Sequence, residues 1–130
     1  SARVTYDIDI VYKRDQPNHA KLVRALAPFA PYPRGAPPGL PFSWSPETIG
    51  MGLNFTLHTS MGDIDLLGEI PGNGTFTTLA THALTVSIDG TSVKVVDLPT
   101  LIRLKRASGR PKDFEELAEL EGIRVGRLEP

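Results

Sequence analysis

Residues 4–12, VTYDIDIVY, constrain this chain more than any other stretch. β-Branched and aromatic residues recur there with period two. Tyr6, Ile8, Ile10 and Tyr12 therefore share one face of a strand, and Thr5, Asp7, Asp9 and Val11 share the other. Aspartate is depleted in strands, and two carboxylates on one face repel each other unless positive charge lies between them. Two residues of strand rise separate the pair by about 6.6 Å. A divalent cation with oxygen ligands at roughly 2.0–2.1 Å bridges such a pair once the side chains lean together. The plain alternative is a half-solvated strand whose polar face holds two Asp. A D-x-D alone does not separate the two readings.

The rest of the composition limits what that strand can serve. The chain has 130 residues, 40% of them hydrophobic and 22% charged, which suits one globular domain spanning 1–130. A net charge of −1 provides no global basic field for nucleic acid, so any such contact must be local. The absence of cysteine excludes disulfides and thiolate zinc sites and agrees with a reducing cytoplasm, the expected location. No apolar run approaches the ~18–20 residues of a membrane span, and no signal peptide is evident.

Pro17 opens a helix expected to reach about Ala27, with Leu22, Val23 and Leu26 inward and His19, Lys21 and Arg24 on the solvated side. Residues 28–44 carry six prolines among Phe29, Tyr32, Phe42 and Trp44, together with Arg34, Gly35 and Gly39. Such a segment reads as a long loop, and its aromatics argue against disorder. Two readings stand: rings packed onto the core, or a pocket wall in which an aromatic stacks on a base and Arg34 meets a phosphate. Residues 53–60 alternate again, with Leu53, Phe55 and Leu57 toward the core. Gly62-Asp63 turns into a second acidic strand, 64–70, where Asp63, Asp65, Leu67 and Glu69 share one face. His58 has no partner at metal-ligand spacing. The turn at 71–74 lacks the Lys-Ser/Thr of a P-loop. Residues 75–81 are ambiguous between a short helix and loop. Residues 84–88 and 92–96 form a hairpin across Asp89-Gly90, with Thr91 extending the loop. Asp97 caps a helix in which Leu98, Leu101 and Ile102 make an apolar arc. Lys105 falls inside that arc, while Arg103 and Arg106 point away. A last helix begins at Pro111, with Phe114, Leu117 and Ala118 inward and Gly122 at its end.

DIDIV, LNFTLHTSMGDIDLLGEI and DLPTLIRLKRASGRPKDFEELAELE, in that order, resemble nucleotidyltransferases of the DNA polymerase beta superfamily. The similarity is greatest to the bacterial group of abortive-infection (AbiEii-like) toxins and covers nearly the whole chain. It implies an α/β (α+β) fold, a nucleotidyltransferase-like mixed sheet flanked by helices. It also implies three carboxylates on neighbouring strands that hold two divalent ions, Mg2+ or Mn2+. By motif match these are Asp7 and Asp9 with Asp65, and Asp63 competes for the third place. Lys105 falls on the family's C-terminal lysine, expected near the triphosphate, and Arg110, Lys112 and Asp113 match its R-x-K-D segment. The Gly-Gly or Gly-Ser element that precedes the D-x-D in this family has no counterpart before Arg3. The expectation is that an N-terminal segment is missing from the sequence.

The implied reaction moves a nucleoside monophosphate from an NTP to an RNA, protein or small-molecule acceptor. A toxin–antitoxin pair with a cognate partner is one setting that the resemblance allows. Clustered carboxylates suit such a metal site and repel one another without it. The competing class is a catalytically silent shell, an interaction module or antitoxin docking through the Pro-aromatic loop. Magnesium-dependent NTP binding separates the two, and so does finding the carboxylates apart or engaged in salt bridges.

Overall fold

A computed structural model describes residues 7–109 and Ala118 of the chain. The fold is α+β, with helices, a mixed sheet and antiparallel ladders. It divides into two compact units, Ser1–Glu69 and Ile70–Pro130.

The first unit is built on a four-stranded sheet ordered β1-β4-β3-β2. Its strands are β1 (Asp7–Val11), β2 (Tyr32–Pro33), β3 (Asn54–Thr59) and β4 (Gly62–Leu67). β3 and β4 form the expected antiparallel hairpin, and β1 runs parallel to β4. One face of this sheet is the core: Tyr12, Leu57, Ile64 and Leu66 are buried together with Leu26 of α1 (Gln16–Leu26) and Ile49 of α2 (Pro46–Met51). The parity of the strands sends every Asp of β4 to the opposite face. β1 is a sheet edge, and Ile8 and Ile10 stay exposed although they share parity with buried Tyr12.

Both helices start on capped ends. The Asp15 carboxylate accepts the Asn18 amide at 2.8 Å, and Pro17 occupies the first turn, where no amide is needed. Ser45 does the same for α2, a helix too short for apolar periodicity to announce. Its one local signal is the S-P-E-T run, a capping residue followed by proline. Leu22, Val23 and Leu26 face inward as expected. His19 does not lie on the solvated side. It is only 6% exposed and edge-on to Tyr12 at 5.8 Å, because it stands three, four and seven residues before Leu22, Val23 and Leu26 and so shares their inward face. Its Nε2 has no hydrogen-bond partner.

Residues 28–44 resolve into a 3-10 turn (Ala27–Phe29), the short β2 and a proline-rich excursion. Phe42 and Trp44 pack against the core, and the Trp44 indole donates to the Val23 carbonyl at 3.0 Å. The Tyr32 hydroxyl donates to the Pro37 carbonyl and accepts the Leu40 amide, which closes the excursion on itself. Gly35 and Gly39 take φ values of 80° and 87° that an L side chain resists.

The boundary falls within β5 (Glu69–Ile70), which pairs β6 (Gly74–Thr75), and α3 (Phe76–Ala80) follows in the second unit. Thr75 and Thr78 make a reciprocal capping box at the α3 start, which settles the ambiguity of 75–81 in favour of helix. β7 (Ala83–Ile88) and β8 (Thr91–Val96) form the hairpin, and Thr91 belongs to the strand rather than the loop. Asp89 and Gly90 both have positive φ, as a two-residue turn of this hand requires. α4 (Leu98–Ser108) begins at Asp97 and ends on Gly109 at φ 67°. Its buried residues are Thr100, Ile102 and Leu104, so the inward arc is broader than Leu98, Leu101 and Ile102.

The α4 cap carries a pH signature. The Thr100 hydroxyl, then its amide, bind the Asp97 carboxylate and hold its pKa below the ordinary value. A depressed carboxylate stabilises the fold above its unfolded pKa of about 3.9, and that contribution disappears as pH falls through the native value. Asp97→Ala is expected to cost about 1 kcal/mol at neutral pH, the usual loss for a helix cap. In urea melts the gap from wild type should close on acidification below pH ~4.

Candidate functional site

The polar face of the first sheet collects the acidic residues. Register pairs Asp7 with Asp63 and Asp9 with Asp65 on the parallel strands β1 and β4. Adjacent strands lie about 4.8 Å apart, so Asp9 and Asp65 stand as lateral neighbours with the same parity. Asp9 is exposed, while the Asp65 side chain is 18% accessible. The side chain of Asp7 lies outside the described residues.

Arg34 joins this face from the far edge of the sheet. Its amide donates to the Thr56 carbonyl at 2.9 Å, continuing the β2–β3 ladder by one residue. The side chain then reaches past β3 to β4. Nη2 donates to Asp65 Oδ1 at 2.7 Å and to the Leu57 carbonyl at 3.0 Å, and Nε lies 3.2 Å from Asp63 Oδ2. Asp63 also meets His58 Nδ1 at 2.9 Å, across the β3–β4 pair. His58 is therefore a partner of the acidic face, a contact that spacing along the sequence could not reveal because hairpin register creates it.

The two readings of the proline-rich segment thus divide between its residues. Its rings pack onto the core, and its arginine sits on the carboxylates. No conventional motif marks Arg34, which stands between a β-edge proline and Gly35 at φ 80°.

The donor set fits a hard divalent cation in chemistry, since every carboxylate offers oxygen and none of the neighbours offers sulfur. Among the described residues, no three His, Cys, Asp or Glu side chains are grouped to hold a metal ion. In such a site Asp9 and Asp65 would supply two ligand positions, and Asp7 would have to complete the set.

Lys105 belongs to the second unit. It is partly buried on α4, within the inward arc, whereas Arg103 and Arg106 are exposed. The Arg103 guanidinium donates to the Gly72 carbonyl. Arg110, Lys112 and Asp113 lie outside the described residues.

A separate open hollow of about 820 Å³ lies between α1 and α2, bordered by Arg14, Asp15, His19 and Glu47. It is on the helix-covered side and includes none of the strand carboxylates. Among the described residues, no helix is long and apolar enough to cross a membrane. Comparison with protein-family models, curated proteins and solved structures gave no match.

Proposed function

We propose that this chain is a metal-dependent nucleotidyltransferase, which transfers a nucleoside monophosphate from an NTP to an RNA, protein or small-molecule hydroxyl. The observation that supports it most is the parallel pairing of β1 with β4, which makes Asp9 the lateral neighbour of Asp65. Aspartates from two strands far apart in sequence stand in register on one sheet face. The motif order supports the same reading.

In this reading Asp9 and Asp65, with Asp7, would hold Mg2+ or Mn2+. The ions supply charge stabilisation for the attacking and departing oxygens. Arg34 would orient the reactants by binding a non-bridging phosphate oxygen, and a place for Lys105 at the triphosphate rests on the resemblance alone. A role in a toxin–antitoxin pair rests on the resemblance alone.

A second reading has one specific observation in its favour. Arg34 already pairs with Asp63 and Asp65, as a salt-bridged shell without catalysis would require, and His58 is hydrogen-bonded to Asp63. Calorimetric titration of a non-hydrolysable NTP analogue, with Mg2+ and with EDTA, tests the choice. Binding that requires Mg2+ is expected of the transferase. Absence of binding at millimolar nucleotide and Mg2+ would leave the silent shell.

A further inference from the structure

The β7–β8 hairpin carries an apolar face that stands open. Register sets Leu84 opposite Val95, Val86 opposite Val93 and Ile88 opposite Thr91, so these side chains line one face of the ribbon. Leu84 and Ile88 are more than half exposed, and Val86, Val93 and Val95 are exposed as well. The other face holds Thr85, Ser87, Ser92 and Lys94. A lone two-stranded ribbon is marginal in water, and an apolar sheet face needs a layer over it. We infer that residues 111–121 of this chain are that layer, docking as an amphipathic helix on Leu84, Val86, Ile88, Val93 and Val95.

Area favours a segment of the chain over a second copy. Five aliphatic side chains at about half exposure make a patch on the order of 400 Å². Two such patches face to face would bury on the order of 800 Å², the scale of a lattice contact, whereas stable interfaces begin near about 1,200 Å². The same patch can seat a tethered segment, because the tether removes most of the cost of bringing two molecules together.

Pattern and length select the segment. α4 ends on Gly109, whose φ of 67° turns the chain, and Pro111 follows as a residue suited to a helix start. Phe114, Leu117, Ala118 and Leu120 then recur at helical spacing, while Glu115, Glu116 and Glu119 fall on the opposite side. Ala118 is helical, and it is exposed rather than inward. A position of the apolar helix stripe and an apolar ribbon face are thus both open in one compact unit, and each is the kind of cover the other lacks. Eleven residues of helix span about 17 Å and the six residues of β7 about 20 Å, so the two match in length. The ribbon face carries no charge, and the glutamates of the docked helix would stay in water.

The chain has no cysteine, so introduced pairs report contact without competing thiols. In the full chain, Val86→Cys with Leu117→Cys should close an intramolecular disulfide under copper–phenanthroline oxidation. It should do so at least about tenfold faster than Ser87→Cys with Leu117→Cys, where the first thiol lies on the polar face. Leu117→Glu should speed amide exchange in β7 and β8 by about tenfold or more, and Glu116→Gln should leave it unchanged. The crosslinking pairs decide the question even if Leu117→Glu fails to fold. Equal crosslinking by the two pairs, or none, would overturn the inference, and so would wild-type exchange in folded Leu117→Glu. A covalent dimer as the main product of Val86→Cys alone would also overturn it and give the face to a second copy.

Discussion

Asp9→Asn is expected to abolish Mg2+-dependent nucleotide binding and to leave the melting temperature nearly unchanged. The first expectation comes from register. Asp9 is the residue of β1 that stands beside Asp65, so it is the ligand the metal cannot replace from the same strand position. Loss of an outer hydrogen-bond partner commonly lowers metal affinity about 10–100-fold, and loss of a direct ligand should reach at least ~100-fold. The second expectation comes from exposure. Asp9 is exposed, and substitutions at exposed positions usually stay within about 0.5 kcal/mol. The calorimetric titration and a thermal melt of the same protein check both halves. Retained Mg2+-dependent binding with an unchanged melt would remove Asp9 from the site.

The strands and helix starts are legible in the sequence because their signals are local. Alternation in 53–60 and 64–70 marks the β3–β4 hairpin, Asp89-Gly90 marks the turn of β7–β8, and Asp97 marks the start of α4. Asp65 is legible as a member of a second acidic strand, since parity is readable in sequence. Adjacency is not. Only the pairing of β1 with β4 brings Asp9 beside Asp65, and only the β2–β3–β4 order carries Arg34 to Asp63 and Asp65. His19 departs from expectation for a different reason. Helical spacing puts it three and seven residues before Leu22 and Leu26, on their own face, so its burial was legible in the spacing and only the polarity of the ring argued for solvent.

Lys105→Met carries the other large effect expected of this protein. Helical geometry places Lys105 amid Leu98, Leu101 and Ile102, and the residue is partly buried there while Arg103 and Arg106 are exposed. Its stem can pack like methionine, so the substitution retains apolar contact and removes only the ammonium. Stability should therefore change by less than about 1 kcal/mol, as for other swaps that conserve apolar volume. If the ammonium serves the triphosphate, affinity for Mg2+–NTP loses a charge-assisted hydrogen bond of roughly 1.5–3 kcal/mol, or about 10–150-fold. Arg106→Met is the matched control, because it removes one positive charge from an exposed position of the same helix. It should weaken binding only by what screened surface charge explains, about twofold or less. Equal losses in the two proteins would return Lys105 to the helix C-terminal carbonyls, which bind a lysine without any nucleotide.

A divalent ion that bridges the two acidic strands is what a transferase of this kind cannot do without. A crystal structure of the chain grown with Mn2+ and a non-hydrolysable NTP analogue would show it, because the anomalous signal locates the ion independently of the fold. The ion should lie within roughly 2.0–2.2 Å of carboxylate oxygens from both Asp9 and Asp65, with Arg34 turned from Asp65 to a phosphate. An ordered nucleotide with no ion between β1 and β4, and Asp65 still paired with Arg34, would contradict the metal-dependent reading.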